Sequence, residues 1–164
     1  MTVVLAEMTR EEVRRLAPQA TVLLPVAATE QHGPHLPINM DDAACWAVCQ
    51  RAADLARAEI PVAVAPMLPF GYSHQHFWQP GVLSLSTTTF LQVLRDLGES
   101  LYRSGFRRIA IINGHGPNDE LIRVAARELN DRFPVSIAAA SYWTIAWRAQ
   151  IGRASCRERV YVLV

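Results

Sequence analysis

The sequence predicts an α/β domain built on a mainly parallel sheet with right-handed crossovers, and three observations predict it. Short apolar runs alternate with stretches of helical periodicity in the order β-α-β-α-β-α-β. The apolar runs are continuous, as in strands buried on both faces of a sheet. All five histidines fall in the segments that follow the first three runs, and a parallel sheet delivers such segments to one edge. At 164 residues, with 51% hydrophobic and 19% charged residues, the chain is long enough for one domain with a real core.

The elements follow in order. Thr9-Arg10-Glu11-Glu12 has the form of a capping box, and Val13 and Leu16 continue it as a short helix that Pro18 stops. Residues 21–27 are the first buried strand. A loop of unusual composition then leads to a helix over 42–58, carried by Ala44, Cys45, Val48, Ala52, Leu55 and Ala56, with Asp41 and Asp42 at its start where a capping carboxylate is favoured. Val62-Ala63-Val64-Ala65, between Pro61 and Pro66, is the second strand. Residues 67–86 form a loop too long to be mere connection. Ser86-Thr87-Thr88-Thr89 offers N-caps to a helix striped by Phe90, Leu91, Leu94, Leu97, Leu101 and Tyr102 and ended by Gly105. A third strand over 107–112 runs into Asn113-Gly114-His115-Gly116-Pro117-Asn118, a helix over 119–132 carries Leu121, Ile122, Ala125, Ala126 and Leu129, and residues 135–140 are the fourth strand.

Composition excludes several functions. A net charge of +1 without a dense basic run leaves no electrostatic footprint for nucleic acid or an anionic membrane. No apolar run is long enough to span a bilayer and the N-terminus is unlike a signal peptide, so a cytoplasmic protein is expected. The chain contains no lysine, which removes Schiff-base chemistry, a pyridoxal-phosphate lysine and a Walker-type phosphate site. Cys45 and Cys49, one helical turn apart, are read as small buried apolar residues, and Cys156 in the tail carries no function.

The first loop, Thr29-Glu30-Gln31-His32-Gly33-Pro34-His35-Leu36-Pro37-Ile38-Asn39-Met40-Asp41, brings two carboxylates and two imidazoles together. Oxygen and nitrogen donors of this kind suit Zn, Mn or Fe in hydrolytic sites. A single such residue is more often solvated or bonded to local backbone. Glu30, His32, Asp41 and His115 taken together are read as metal ligands. His35 is a candidate to line the pocket or to orient a ligand through its ring N–H. His74 and His76 are candidates for a substrate wall or a subunit contact. No Gly-x-Ser-x-Gly elbow is present, and Glu-Gln-His-Gly-Pro stands where a dinucleotide-binding turn would be.

The first loop up to Pro37 with Asp41, then Pro80-Gly81-Val82-Leu83-Ser84-Leu85-Ser86, Asn113-Gly114-His115-Gly116-Pro117-Asn118 and Ser141-Tyr142-Trp143, resembles the creatininase (creatinine amidohydrolase) family in the family's own order, from about residue 20 to about residue 149. The resemblance implies a three-layer α/β/α fold and two divalent metal ions. Glu30 and His32 would each hold one ion, Asp41 would bridge both, and His115 would hold one. It implies that Trp143 covers the substrate, a small-molecule amide, and that the protein forms ring-like homo-oligomers. The expected function is attack by a metal-activated water on a cyclic amide, formamide or related C–N bond. The alternative is a family member that binds metal or partners without turnover. The family's creatinine-opening members carry a glutamate where Pro117 stands. Gln75 and Phe77-Trp78-Gln79-Pro80 also depart from the usual Glu-His and Phe-Pro-Gly-Thr, which points to a less typical substrate. Residues 1–149 are expected to be the N-terminal part of such a domain, truncated at its C-terminus. Residues 150–164 resemble the translation of a sequencing adapter and are expected to be a non-native tail.

Overall fold

The computed structural model of the chain describes residues 2–145. Thr9 opens helix α1 (Arg10–Leu16) with the expected capping box: its hydroxyl accepts from the Glu12 amide, and the Glu12 carboxylate accepts from the Thr9 amide. Strand β1 (Thr21–Val26), helix α2 (Met40–Ala56), strand β2 (Val62–Val64) and helix α3 (Thr87–Arg103) follow. Strand β3 (Arg108–Asn113), helix α4 (Asp119–Arg132) and strand β4 (Ser136–Ser141) complete the order. Ser86 caps α3 by accepting from the Thr89 amide, and the chain leaves that helix through Gly105 at φ +107°. Strand and helix ends lie within two residues of expectation, and the departures that matter for the site are in α2 and the long loop. Helix α2 begins at Met40, with Asn39 at its N-cap making no side-chain bond, so Asp41 lies in the first turn. His74–His76 forms one 3-10 turn within the long loop.

The four strands form one parallel sheet in the order β2-β1-β3-β4. The register pairs Thr21 with Arg108 and Val26 with Asn113 across β1 and β3, and Arg108 with Ser136 across β3 and β4. From β1 the chain steps to β2 on one side, then crosses back to β3 on the other. The helices that follow β1 and β3 therefore lie on opposite faces, and the carboxyl ends of these two strands form a switch point of the kind at which such sheets bind ligands.

Alternation along the strands sorts side chains into two cores. Val22, Leu24, Val26, Ile109 and Ile111 join Phe90, Leu94, Ile122 and Leu129, so α3 and α4 cover one face. Leu23, Val62, Val64 and Ile112 join Cys45, Cys49 and Ala53, so α2 covers the other. The result is the three-layer α/β/α arrangement. Cys45 and Cys49 are buried and free, as their spacing predicts. Among the described residues no helix is long and apolar enough to cross a membrane. Trp147, expected with Phe77 and Trp78 as an aromatic at a subunit contact, Cys156 and the whole of the expected tail lie outside the described residues.

Candidate metal centre

Each loop that leaves the carboxyl edge of the sheet contributes to one cluster. The segment after β1 brings Glu30 and His32, the first turn of α2 brings Asp41, and the turn after β3 brings His115. Glu30, His32 and Asp41 offer donor atoms that all lie within 4.8 Å of one another. His115 joins them through its Nδ1, 2.9 Å from Asp41 Oδ2 and 3.4 Å from Glu30 Oε1. The other oxygen of Asp41, Oδ1, lies 3.1 Å from His32 Nε2. One carboxylate thus stands between two imidazoles.

The far nitrogens of both rings face carbonyls. His32 Nδ1 is 3.1 Å from the Glu30 carbonyl, and His115 Nε2 is 3.0 Å from the Tyr72 carbonyl. Carbonyls and carboxylates only accept, whereas a neutral imidazole carries one N–H. Each ring therefore confronts acceptors on both sides with a single proton to give. The deficit is filled by a second proton or by a cation. The His115 titration reflects this: burial pulls its pKa down, but the bond to Asp41, the charges of Glu30 and Asp41 and the Tyr72 carbonyl outweigh burial and raise it above 6.5. Glu30 is 6% exposed, and its Oε2 is buried without a hydrogen-bond partner. An orphaned carboxylate oxygen beside two proton-poor imidazoles is a donor set short of a positive charge.

Surrounding side chains fix the loops. Asn113, fully buried, accepts from the His115 amide and donates to its carbonyl and to Ser141 Oγ. Asn118, also buried, donates to the Ala27 carbonyl and accepts from the Tyr72 amide, tying all three loops together. Two glycines permit the close approach. A Cβ on Gly71 would sit 2.4 Å from the Ala27 carbonyl oxygen, and one on Gly114 would sit 2.6 Å from Cys45 Cβ at the start of α2. Next to the centre, Asp42 has one oxygen 3.1 Å from the Thr29 hydroxyl and the other without a partner; burial pushes its carboxyl up to about 6.

The four expected ligands converge; the weaker candidates divide. His76 Nε2 lies 3.7 Å from Glu30 Oε2, and its Nδ1 lies 3.4 Å from Gln31 Nε2. His74 is exposed and stacks on Phe77 with ring centroids 4.7 Å apart. His35 is exposed. Trp143 is half-buried, edge-on to Tyr142, whose phenol is raised by burial and then by the charge of Asp41. Tyr142, Ser73, Asn113 and Asn118 are neighbours of the centre that the sequence reading did not assign to it. The asparagines stand on either side of the Gly-His-Gly turn, a signal that a buried turn needs polar partners.

Comparison with known proteins gives the following. A family model described as Creatininase: Creatinine amidohydrolase matches residues 6–160. The creatinine amidohydrolase of Pseudomonas putida is 36% identical over 147 residues, covering 80% of this chain and 54% of that protein. A mycofactocin precursor peptide peptidase of Mycolicibacterium smegmatis is 35% identical over 123 residues, covering 74% of this chain and 49% of that protein. The chain thus spans about half the length of the curated relatives it matches. A structure described as creatininase Mn superposes with a TM-score of 0.78 at 32% identity, over 88% of this chain and 60% of that one. A creatininase variant of Zn-Zn type gives 0.79 at 29% identity, over 95% and 66%.

Proposed function

From the premise that this chain belongs to the creatininase family, we propose that it is the ion-binding part of a metal-dependent amidohydrolase acting on a cyclic amide, formamide or related C–N bond. The observation that carries this reading is the pair of imidazoles, each with a carbonyl on one nitrogen and Asp41 on the other. If the carbonyl-facing nitrogens keep their protons, a lone pair on each ring points toward Asp41. Glu30, Asp41 and His115 would hold one divalent ion, and His32 and Asp41 would hold a second, with Asp41 shared between them. The buried orphan oxygen of Glu30 fits this assignment. Zn, Mn and Fe all accept such a donor set.

When bound, such ions polarise an amide carbonyl and acidify the attacking water. The protein's own part is positional. Asn113 and Asn118 hold the three loops at fixed separation, so the donors are presented without rearrangement. His76, partly exposed beside Glu30, would stand at the edge of the substrate space. His74 with Phe77, and Trp143 with Tyr142, are aromatic pairs that would serve as walls for a small amide. Exposed Phe77 and Trp78 suit a contact between copies in a cytoplasmic homo-oligomer.

The test is to strip the protein with chelator, restore Zn or Mn, and assay lactam, formamide and peptide substrates. Hydrolysis by the restored protein, lost in Asp41→Ala, is the expected result. Ion uptake with no turnover on any of them would favour a binding role instead. Protein that takes up no ion at all would overturn the metal reading.

A further inference from the structure

Ser73 is fully buried, and its hydroxyl lies 3.0 Å from His115 Nε2, the same nitrogen that faces the Tyr72 carbonyl. Its place is itself fixed, because the Ser73 amide donates to Ser84 Oγ at 2.7 Å, and Ser84 lies near the Gly71 and Leu85 carbonyls at 3.4 and 3.1 Å. The nearby turn His74–His76 begins at the next residue, with the His76 amide donating to the Ser73 carbonyl. The amide, the carbonyl and the hydroxyl oxygen of Ser73 are therefore engaged, the first two with the surrounding loop and the third with a single imidazole nitrogen.

We propose that Ser73 is a positioning residue that holds His115 Nε2 as the protonated nitrogen, so that Nδ1 is the atom His115 presents to an ion at the Glu30–Asp41 position. The Tyr72 carbonyl can only accept, so its bond requires a proton on Nε2. The serine hydroxyl oxygen, 3.0 Å from the same nitrogen, adds a second acceptor to that proton and a second tie on the orientation of the ring. A ligating imidazole whose other N–H is held in this way keeps its tautomer and gains basicity, and loss of the outer partner weakens metal binding about 10- to 100-fold. His32 has an outer partner of a different kind, the carbonyl of Glu30 two residues back, which Ser73 does not touch. The two ion positions are thereby supported independently, although they share Asp41.

This inference rests on the metal reading above, and its test separates the two. Zn would be titrated against a chelator into the full chain, its Ser73→Ala variant and its Ser73→Thr variant, which keeps a hydroxyl. In parallel, 15N shifts of the histidine rings would be read in the Zn-loaded proteins. Two equivalents of Zn in the wild type are expected, with one of them weakened about 10-fold or more in Ser73→Ala and the other unchanged. The His115 ring should report Nδ1 coordination and a protonated Nε2 in the wild type and in Ser73→Thr, with the Nε2 shift altered in Ser73→Ala, where one of its two acceptors is gone. Unchanged affinities and unchanged His115 shifts in folded Ser73→Ala would overturn the role of Ser73 and leave the metal reading standing. Equal weakening of both equivalents would mean a general structural effect and would also overturn it. A wild type that binds no Zn would remove both readings together.

Discussion

Replacing Asp41 by alanine takes away both oxygens that face the two imidazoles, so on the proposed two-ion arrangement both ions should be lost together. His115→Ala should remove one ion and leave the other, a difference read by metal analysis after gel filtration. The acid–base state of His115 gives a second prediction. Its raised pKa means that, without an ion, the protonated ring contributes stability below about 6.5, and that contribution is lost as pH rises through the folded value. An ion competes for the same nitrogen and needs the ring neutral. The rise in melting temperature caused by Zn or Mn should therefore be small at pH 6 and grow as pH is raised toward 8, followed by differential scanning fluorimetry. An ion-induced shift that does not change with pH would contradict the ligand role of His115. At this scale the sequence was informative where residue type is itself the message: two carboxylates and two imidazoles in a loop stand out. Asn113 and Asn118 show only as the flanks of the Gly-His-Gly turn, and Ser73 does not show at all, because serine is an ordinary loop residue whose role here depends on what the fold places beside it.

Helices and turns carry the next set of consequences. Gly114 lets the end of β3 lie against the start of α2, and a Cβ there would meet Cys45 Cβ at 2.6 Å and the Asp41 carbonyl oxygen at 3.1 Å. Gly114→Ala should cost about 1–3 kcal/mol in urea unfolding, as overpacking of a close contact does, and should weaken ion binding as well by displacing the first turn of α2. Thr9→Ala removes one half of a capping box far from the centre; it should cost about 1 kcal/mol and leave ion binding unchanged. Caps and apolar stripes were legible because they are local: the Thr9 box, the Ser86 cap and the span of α4 agree with the periodicity. The start of α2 was not, because a carboxylate at a helix start reads as a cap. The Asp41 side chain is turned instead to His32 and His115, the partners with which the convergence of loops, not the local pattern, grouped it. The single turn over His74–His76 was hidden for a similar reason, since three residues are too few to show a period.

For the molecule as a whole, the alternation of strands and helices implied a parallel sheet and the convergence of its loops, but the order β2-β1-β3-β4 became visible only in three dimensions. That order places β1 beside β3 and makes their carboxyl ends the floor of the centre. Phe90 and Ile111, both fully buried, link α3 to this pair of strands. Phe90→Ala should cost about 3–5 kcal/mol, as other large-to-small core changes do, and should lower ion affinity only to the extent that it unfolds the chain. The pairing of β1 with β3 joins residues as distant as Thr21 and Arg108, and Asp41 meets His115 only once it has formed. Contacts between such remote positions are slow to form because a long loop must close first. An ion that needs the finished site can have no hold on the chain as it crosses its folding barrier. In stopped-flow experiments with urea, Zn or Mn should slow the unfolding arm of the chevron and leave the refolding arm where it was.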